Sequence, residues 1–347
     1  MPAVQAFALG ERRIAPGTRE TVDLPVSVLS DHTPVTMSVH VVHGRQAGPT
    51  LFVSAAIHGD EVIGVEIVRR LLRAKSLRSL RGTLLAVPIV NTFGFLNHTR
   101  YLPDRRDLNR TFPGSPRGSL AGRLAHLFMT EIVARSDAGI DLHSAAIHRT
   151  NMPQIRVSRE GRRTMALAEA FGAPMIITSS LREGSLRQAA HARGLDVLVY
   201  EGGEGLRFDE HAVRAGVFGI LRVMKKLGMV PAKGLSAPRV APMRSSSTSW
   251  RRSPVGGLMR AFKGTGDIVA VGDVLGVVAD PFGETEVEIL SEKAGVIVGR
   301  TNLPVVNEGD GLFHVAEIRK TDDPEATMDD VMTQLGAADL FDEDEII

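Results

Sequence analysis

Thr50-Leu-Phe-Val-Ser-Ala-Ala-Ile57, followed by His58-Gly-Asp-Glu61 and then by Val62 to Leu72, decides the fold class. The first eight residues form an unbroken apolar run, the pattern of a strand buried on both faces of a parallel sheet. Val62 to Leu72 instead repeats its apolar residues at helical spacing and turns Arg69, Arg70 and Arg73 outward. The reading is a strand, a short polar loop and an amphipathic helix.

The alternation continues on both sides of this unit. Downstream, Gly82–Asn91, Ala138–His143, Met175–Ser180 and Asp196–Tyr200 read as strands, while Ser119–Arg135, Gly161–Gly172, Gln188–Arg193 and residues 205–228 read as helices. Upstream, residues 21–44 alternate apolar and polar positions as two strands. Strands alternating with helices predict an α/β domain with a mixed, mostly parallel sheet flanked by helices, whose ligands lie beyond the carboxyl ends of its strands. After Gly228 the segment 231–249 is rich in Pro, Ser and basic residues, which marks a linker. Short β-type runs separated by Gly-Asp and Pro-Phe-Gly turns then fill residues 245–320 and predict a small all-β domain. The expected plan is an α/β domain over 1–235, a linker and β accessory domain over 236–320, and an acidic, partly disordered tail over 321–347.

Composition narrows the chemistry. With no cysteine in 347 residues, disulfide scaffolds, thiol nucleophiles and cysteine-ligated metals are excluded, so any metal must use His, Asp or Glu. No apolar run approaches the roughly 20 residues of a membrane helix, and the N-terminus lacks a signal-peptide pattern, so a cytoplasmic protein without a membrane partner is expected. The net charge of +1 hides an asymmetry: ten acidic residues and no basic one follow Lys320, leaving 41 basic against 30 acidic residues before them. A positive body suits small anionic substrates; the scattered cations and 5% aromatics argue against nucleic acid.

Four motifs stand at predicted strand ends or in a loop between them. His58-Gly-Asp-Glu61 places an imidazole and a carboxylate three residues apart on a turn entering a helix, a donor set suited to zinc; acidic residues at a helix start also serve as caps. Asp141-Leu-His143 ends a strand with both polar side chains on one face, so His143 can complete a three-ligand site and Asp141 can orient a ligand. Residues 99–114 form a long polar loop in which Arg110 beside Asn109 can grip a carboxylate or polarise a carbonyl, unless Arg110 is instead salt-bridged to Asp104 or Asp107. Glu201-Gly-Gly ends a further apolar strand, where burial would raise the carboxyl pKa towards that of a general base; Glu204 reads as a cap of the next helix. Six further histidines, His98, His126, His148, His191, His211 and His314, lack a partner at ligand spacing and read as surface or core residues, with His148 near enough to His143 to line a pocket.

In this order, His58-x-x-Glu61, Asp107-Leu-Asn109-Arg110, Asp141-Leu-His143 and Glu201-Gly-Gly resemble the succinylglutamate desuccinylase/aspartoacylase family of the zinc carboxypeptidase-like clan. The resemblance spans about residues 50–205 and implies one Zn2+ per chain held by His58, Glu61 and His143. It implies Glu201 as general base and then proton donor. It further implies that Arg110, with Asn109, stabilises an oxyanion or holds a substrate carboxylate, and that Arg100 contacts substrate. The activity implied is hydrolysis of the amide bond of an N-acyl amino acid or similar small anion. The alternatives are a zinc carboxypeptidase, or a silent binding protein that kept the fold; a homo-oligomer is compatible with all three.

Two family features have no clear place. The candidates for an arginine that clamps the substrate carboxylate, Arg182 and Arg187, lie further upstream of Glu201 than in aspartoacylases. The tyrosine that completes the aspartoacylase pocket has no counterpart, since the only tyrosines are Tyr101 and Tyr200, which argues against N-acetylaspartate. The β domain resembles the barrel-sandwich appendage of bacterial relatives, and also biotinyl carrier domains; its expected hairpin tip, Asp280–Thr285, lacks the lysine a carrier needs, and Lys293 lies in the next turn. The domain is therefore expected to pack against or partly cover the active site.

Overall fold

The computed structural model describes residues 4–158, 161–231, 241–318 and 323–337. Residues 232–240 of the expected linker and 338–347 of the tail lie outside them.

The first half of the chain builds a twisted sheet from β1 (Thr18–Val28), β2 (Pro34–His43), β3 (Gln46–Ala55), β4 (Arg81–Val87) and β5 (Ala138–His143), with α1 (Ile63–Leu71) between β3 and β4 and α2 (Leu120–Glu131) before β5. It continues through β6 (Arg149–Val157), α3 (Arg162–Phe171), β7 (Met175–Thr178), α4 (Leu186–His191), β8 (Asp196–Glu204) and α5 (Glu210–Lys226). The central strands β4, β3, β5 and β8 lie side by side in parallel. The chain leaves β3 for β4 on one side and returns to β5 on the other, so the crevice at the carboxyl ends of β3 and β5 is a topological switch point.

Helices cover both faces. On one, Ile63 and Ile67 of α1 and Val213, Val217 and Ile220 of α5 pack with Leu51, Val53 and Ile140 of the sheet. On the other, Phe128 of α2 meets Phe52 of β3 edge to face at 5.6 Å. Gly64 lets α1 approach the sheet closely: a Cβ there would lie 2.6 Å from the Ala55 Cβ and 2.8 Å from that of Leu142.

The C-terminal strands are β9 (Met243–Ser245), β10 (Thr248–Arg252), β11 (Gly257–Ala261), β12 (Val274–Ala279), β13 (Glu286–Leu290), β14 (Gly295–Thr301), β15 (Val305–Val306) and β16 (Gly311–Ala316). All-β structure over 245–316 is as expected, but it does not stand apart from the α/β sheet. β14 pairs antiparallel with β6, Gly299 opposite Asn151, and β16 and β10 extend the same sheet beyond it. β9 pairs parallel with β7, and β13, β12, β11 and β15 form a four-stranded sheet in that order, which packs on β14 and β16 through Val278, Ile289, Ile297 and Phe313.

One further expectation is corrected, and two elements join those read from the sequence. β6, unforeseen in the sequence, runs antiparallel to β8 and joins the two halves of the molecule. Glu204 does not cap the following helix: α5 starts at Glu210, and its N-cap is Asp209, whose carboxylate accepts from the Ala212 amide at 2.9 Å. The acidic tail includes a helix, α6 (Pro324–Ala337), whose Met328 packs beside Met152, Met175 and Met243.

Candidate active site

The first motif leaves β3 through Ala56, which adopts a left-handed backbone at φ 51°, and reaches the turn His58–Glu61 before α1. The capping alternative fails here, because α1 begins with Val62 at its N-cap position and no side chain bonds to its first turn. Instead the Glu61 carboxylate lies between two imidazoles: Oε1 is 2.7 Å from His58 Nδ1 and Oε2 is 2.7 Å from His143 Nδ1. One ligand atom from each of His58, Glu61 and His143 falls within 4.8 Å of the other two, and all three side chains are buried.

The far nitrogens of both rings are also held. His58 Nε2 faces Asp107 Oδ1 at 3.2 Å, and His143 Nε2 faces Asp141 Oδ2 at 2.7 Å. Asp141 is in turn fixed by the Ser54 hydroxyl, which donates to its Oδ1 at 2.8 Å. Burial would lower the pKa of each histidine, but the surrounding carboxylates outweigh it: Glu61 and Asp107 raise that of His58, and Asp141 and Glu61 raise that of His143 well above its ordinary value. Burial would raise Glu61, yet the two imidazoles hold it below the usual carboxylate range. Such a knot of donors, each imidazole with one nitrogen inward and the other on a carboxylate, fits a divalent metal.

The loop motif is divided between two tasks. Asp107 accepts from the Arg100 guanidinium at 2.9 and 3.1 Å, and Arg100 Nη1 reaches Glu61 at 3.3 Å, which fixes Arg100 beside the donor cluster. Arg110 pairs with neither Asp104 nor Asp107; its Nη1 donates only to the neighbouring Asn109 carbonyl. The side-chain oxygen of Asn109 accepts from the Leu186 amide at 2.9 Å and so anchors the start of α4.

Most of these groups open onto one cavity of about 610 Å³, whose lining includes His58, Glu61, Arg100, Arg110, His143 and Glu201. Glu201 is half-buried on β8, at the point where its pairing with β6 becomes irregular. Its Oε2 accepts from Asn151 Nδ2 at 3.0 Å and its Oε1 lies 3.5 Å from Arg156 Nε. Arg182 and Arg187 line the same cavity. Arg187 donates to the Ser179 hydroxyl and the Ser180 carbonyl, while its buried Nη1 has no partner. Burial, reinforced by Arg156, depresses the Arg187 pKa to about 10.

Several lining residues escaped the sequence reading. Arg149, Asn151 and Arg156 belong to β6, Trp250 to β10 and His314 to β16. His314, expected on the surface or in the core, faces the cavity, whereas His148 is not among the residues that line it. Glu204 accepts from the His148 amide and from Asn302, tying β8 to the C-terminal strands. Lys293 is ion-paired with Glu317, as suits a structural lysine.

Comparison with known proteins bears on this constellation directly. The sequence profile of the succinylglutamate desuccinylase/aspartoacylase catalytic domain matches residues 47–227, more than half of the chain and all of the donor set. The chain belongs to that family. It is 28% identical over 307 residues to an N-alpha-acetyl-L-2,4-diaminobutyric acid deacetylase of Halomonas elongata, covering 85% of this chain and 90% of the relative. Among solved structures, a succinylglutamate desuccinylase/aspartoacylase from Rhodobacter sphaeroides superposes with a TM-score of 0.76 at 26% identity, covering 87% of this chain and 96% of the other. The product-bound ectoine utilization protein EutE (DoeB) of Ruegeria pomeroyi shares the fold with a TM-score of 0.78 at 24% identity, covering 91% and 99%. The family consists of deacylases, and the chain is an amide hydrolase of the class acting on linear C–N bonds. No helix among the described residues is long and apolar enough to cross a membrane.

Proposed function

We propose that this enzyme is a zinc-dependent deacylase that hydrolyses the amide bond of an N-acyl amino acid or a related small anion. The observation that carries the reading is the buried His58–Glu61–His143 cluster, with an aspartate behind each imidazole and Glu201 on the same cavity. His58, Glu61 and His143 would hold the metal. Zinc, when bound, supplies Lewis acidity that makes water nucleophilic near neutral pH and polarises an acyl carbonyl.

The remaining chemistry falls to the side chains around it. Glu201 takes a proton from the attacking water as it adds to the acyl carbon, then returns that proton to the departing amine nitrogen. Arg110 offers a guanidinium that forms no ion pair with a carboxylate among the described residues, placed to stabilise the developing oxyanion or to hold a carboxylate. Arg100, fixed by Asp107 and Glu61, presents its remaining surface to the acyl group beside the metal ligands. Arg187, whose buried Nη1 is unsatisfied, together with Arg182 forms a carboxylate clamp for the amino-acid portion. Asn109 positions Arg110 and α4. Membership of a deacylase family supports amide cleavage at an acyl group over removal of a peptide's C-terminal residue.

The test combines metal analysis with product identification. Protein purified without chelator should carry about one zinc per chain, His58→Ala and His143→Ala should lose it, and a panel of N-acyl amino acids should release free amine. Metal unaffected by both substitutions, or release of C-terminal residues from peptides without deacylation, would overturn the reading.

A further inference from the structure

Another cavity, of about 820 Å³, lies at the amino ends of β3 and β4, the pole of the sheet opposite the His58–Glu61–His143 cluster. It shares no lining residue with the catalytic cavity. Three stretches of chain meet there: residues 17–19 before and at the start of β1, the turn 42–46 between β2 and β3, and residues within 72–80 after α1. Five cations line it, Arg19, Arg45, Arg73, Lys75 and Arg78, and among the described residues no carboxylate does. Val42, Leu77 and Leu80 are buried beneath them and give the cavity an apolar floor.

Two of the cations are held by neutral groups. Arg19 donates from Nε to His40 Nε2 at 3.0 Å and from Nη2 to the Leu72 carbonyl at 3.1 Å. Burial, reinforced by the Arg19 charge, lowers the His40 pKa and so keeps that acceptor neutral near pH 7. Arg45 lies flat on Gly17, where a Cβ would stand 2.6 Å from its Cγ and Nε. Like charges gathered in one concave place repel one another, so the arrangement calls for a ligand with several negative charges, and its floor calls for an apolar part.

The chain itself carries a segment of that composition. Residues 338–347, which follow α6, read Ala-Asp-Leu-Phe-Asp-Glu-Asp-Glu-Ile-Ile, with five acids, four large apolar residues and no cation. Helix α6 is placed to deliver it. Asp330 of α6 lies close enough to Arg222 of α5 for their charges to interact, and the helix advances only about 7.5 Å from Arg222 to Leu227. Leu227 packs on the same core cluster as Leu72, and that cluster contains Leu77 and Leu80 of the cavity floor. Lys226, exposed at the end of α5, continues the positive surface between the two. Ten extended residues span up to about 33 Å.

We infer that residues 338–347 seat in this cavity of the same chain, the acidic run 342–345 against the cations and Leu340 with Phe341 on the apolar floor. Exposed ion pairs are individually weak, but a segment joined to its own site meets it at an effective concentration of roughly millimolar. Seated there, the segment ties α6 to the amino ends of β3 and β4 and leaves the catalytic cavity open. The inference is independent of the reaction assigned to that cavity.

The chain has no cysteine, so two introduced thiols report the contact in the whole protein. Ser79→Cys on the cavity wall and Ile346→Cys in the segment should close a disulfide within one chain under mild oxidation. At about 0.01 M salt closure should be roughly 10-fold or more faster than at about 1 M, where charges act only within about 3 Å. Each rate is divided by that of iodoacetamide alkylation of the Ser79→Cys single variant under the same conditions, which removes the effect of nearby charge on the thiol. Adding Arg45→Glu and Arg78→Glu should slow closure to its high-salt rate, and adding Asp342→Lys and Glu343→Lys to that variant should restore it. Closure indifferent to salt and to the arginine reversals, a rate that the exchanged charges fail to restore, or a disulfide that joins two chains would each overturn the inference. The salt comparison needs no charge variant, so it decides the matter even where the reversals unfold the protein. No readout involves turnover, so the outcome stands apart from the deacylase assignment.

Discussion

Asn151 donates from its side-chain amide to Oε2 of Glu201 at 3.0 Å, across the antiparallel pair of β6 and β8. Arg156, on the same strand, faces the other carboxylate oxygen. One strand thus fixes both oxygens of the group assigned to move the proton, and leaves that group on the cavity wall, where water can reach it.

Glu201→Gln keeps the shape of this arrangement and removes its basicity. We expect zinc content to be retained and turnover to fall by about 10²- to 10⁴-fold. Steady-state assays paired with metal analysis decide this; near-normal turnover would move the general base elsewhere.

Asn151→Ala leaves the carboxylate chemistry intact and frees its position. A hydrogen bond to a charged group contributes about 1.5–3 kcal/mol, so kcat should drop roughly 10- to 100-fold with unchanged metal content. A kcat within twofold of the parent would show that Arg156 alone positions Glu201.

Asp141→Asn keeps a hydrogen-bonding side chain behind His143 but removes its charge. Loss of such an outer carboxylate weakens metal binding by about 10- to 100-fold. Competition with a chromogenic chelator should give that ratio for Asp141→Asn and far greater loss for His143→Ala. Equal affinities for parent and Asp141→Asn would contradict the assigned orientation of the ring.

His314 predicts a pH dependence of stability. Its folded pKa of about 4 lies below the ordinary 6.5, so the unfolded chain takes up the proton first as pH falls. The stability it contributes is complete above about pH 6.5 and is lost as pH drops through 4; the shift corresponds to roughly 3 kcal/mol. Denaturant titrations of metal-free protein at pH 7 and pH 4 should show a smaller loss in His314→Gln than in the parent. The same loss in both proteins would refute the assignment.

Gly59 sits between His58 and Glu61, the first two proposed metal ligands, with no space beside it. A Cβ there would lie 1.9 Å from the carbonyl carbon of Gly94, in backbone that cannot swing aside. Gly59→Ala should cost about 3 kcal/mol or more and separate His58 from Glu61, giving a lower melting temperature and weakened zinc binding together. A variant with normal melting and normal zinc would show that the backbone of Gly94 yields.

Local sequence determined the central strand–helix units and the donor set. Strand Thr50–Ile57, its following helix and the two ligand motifs are legible because apolar periodicity records which side of an element is buried, and residues at strand ends share one edge of a parallel sheet. The pairing of His58 with Asp107 and of His143 with Asp141 was half legible: Asp141 lies two residues from its histidine on the same strand face, whereas Asp107 reaches His58 only through a loop.

Tertiary structure alone decided the rest. β6 contains Pro153 and carries Arg149, Asn151 and Arg156 among its apolar residues, so its alternation does not announce a strand, and its pairing with both β8 and β14 depends on contacts more than forty residues away in sequence. For the same reason Trp250 and His314 gave no sign of facing the cavity: sixty-four positions apart, they become neighbours only when β10 pairs with β16. The sequence determined which residues can carry the reaction, because those motifs are short and lie at the ends of periodic elements. The cavity wall built by β6, β10 and β16 was decided by strand pairing, which brings distant side chains together without leaving a local pattern.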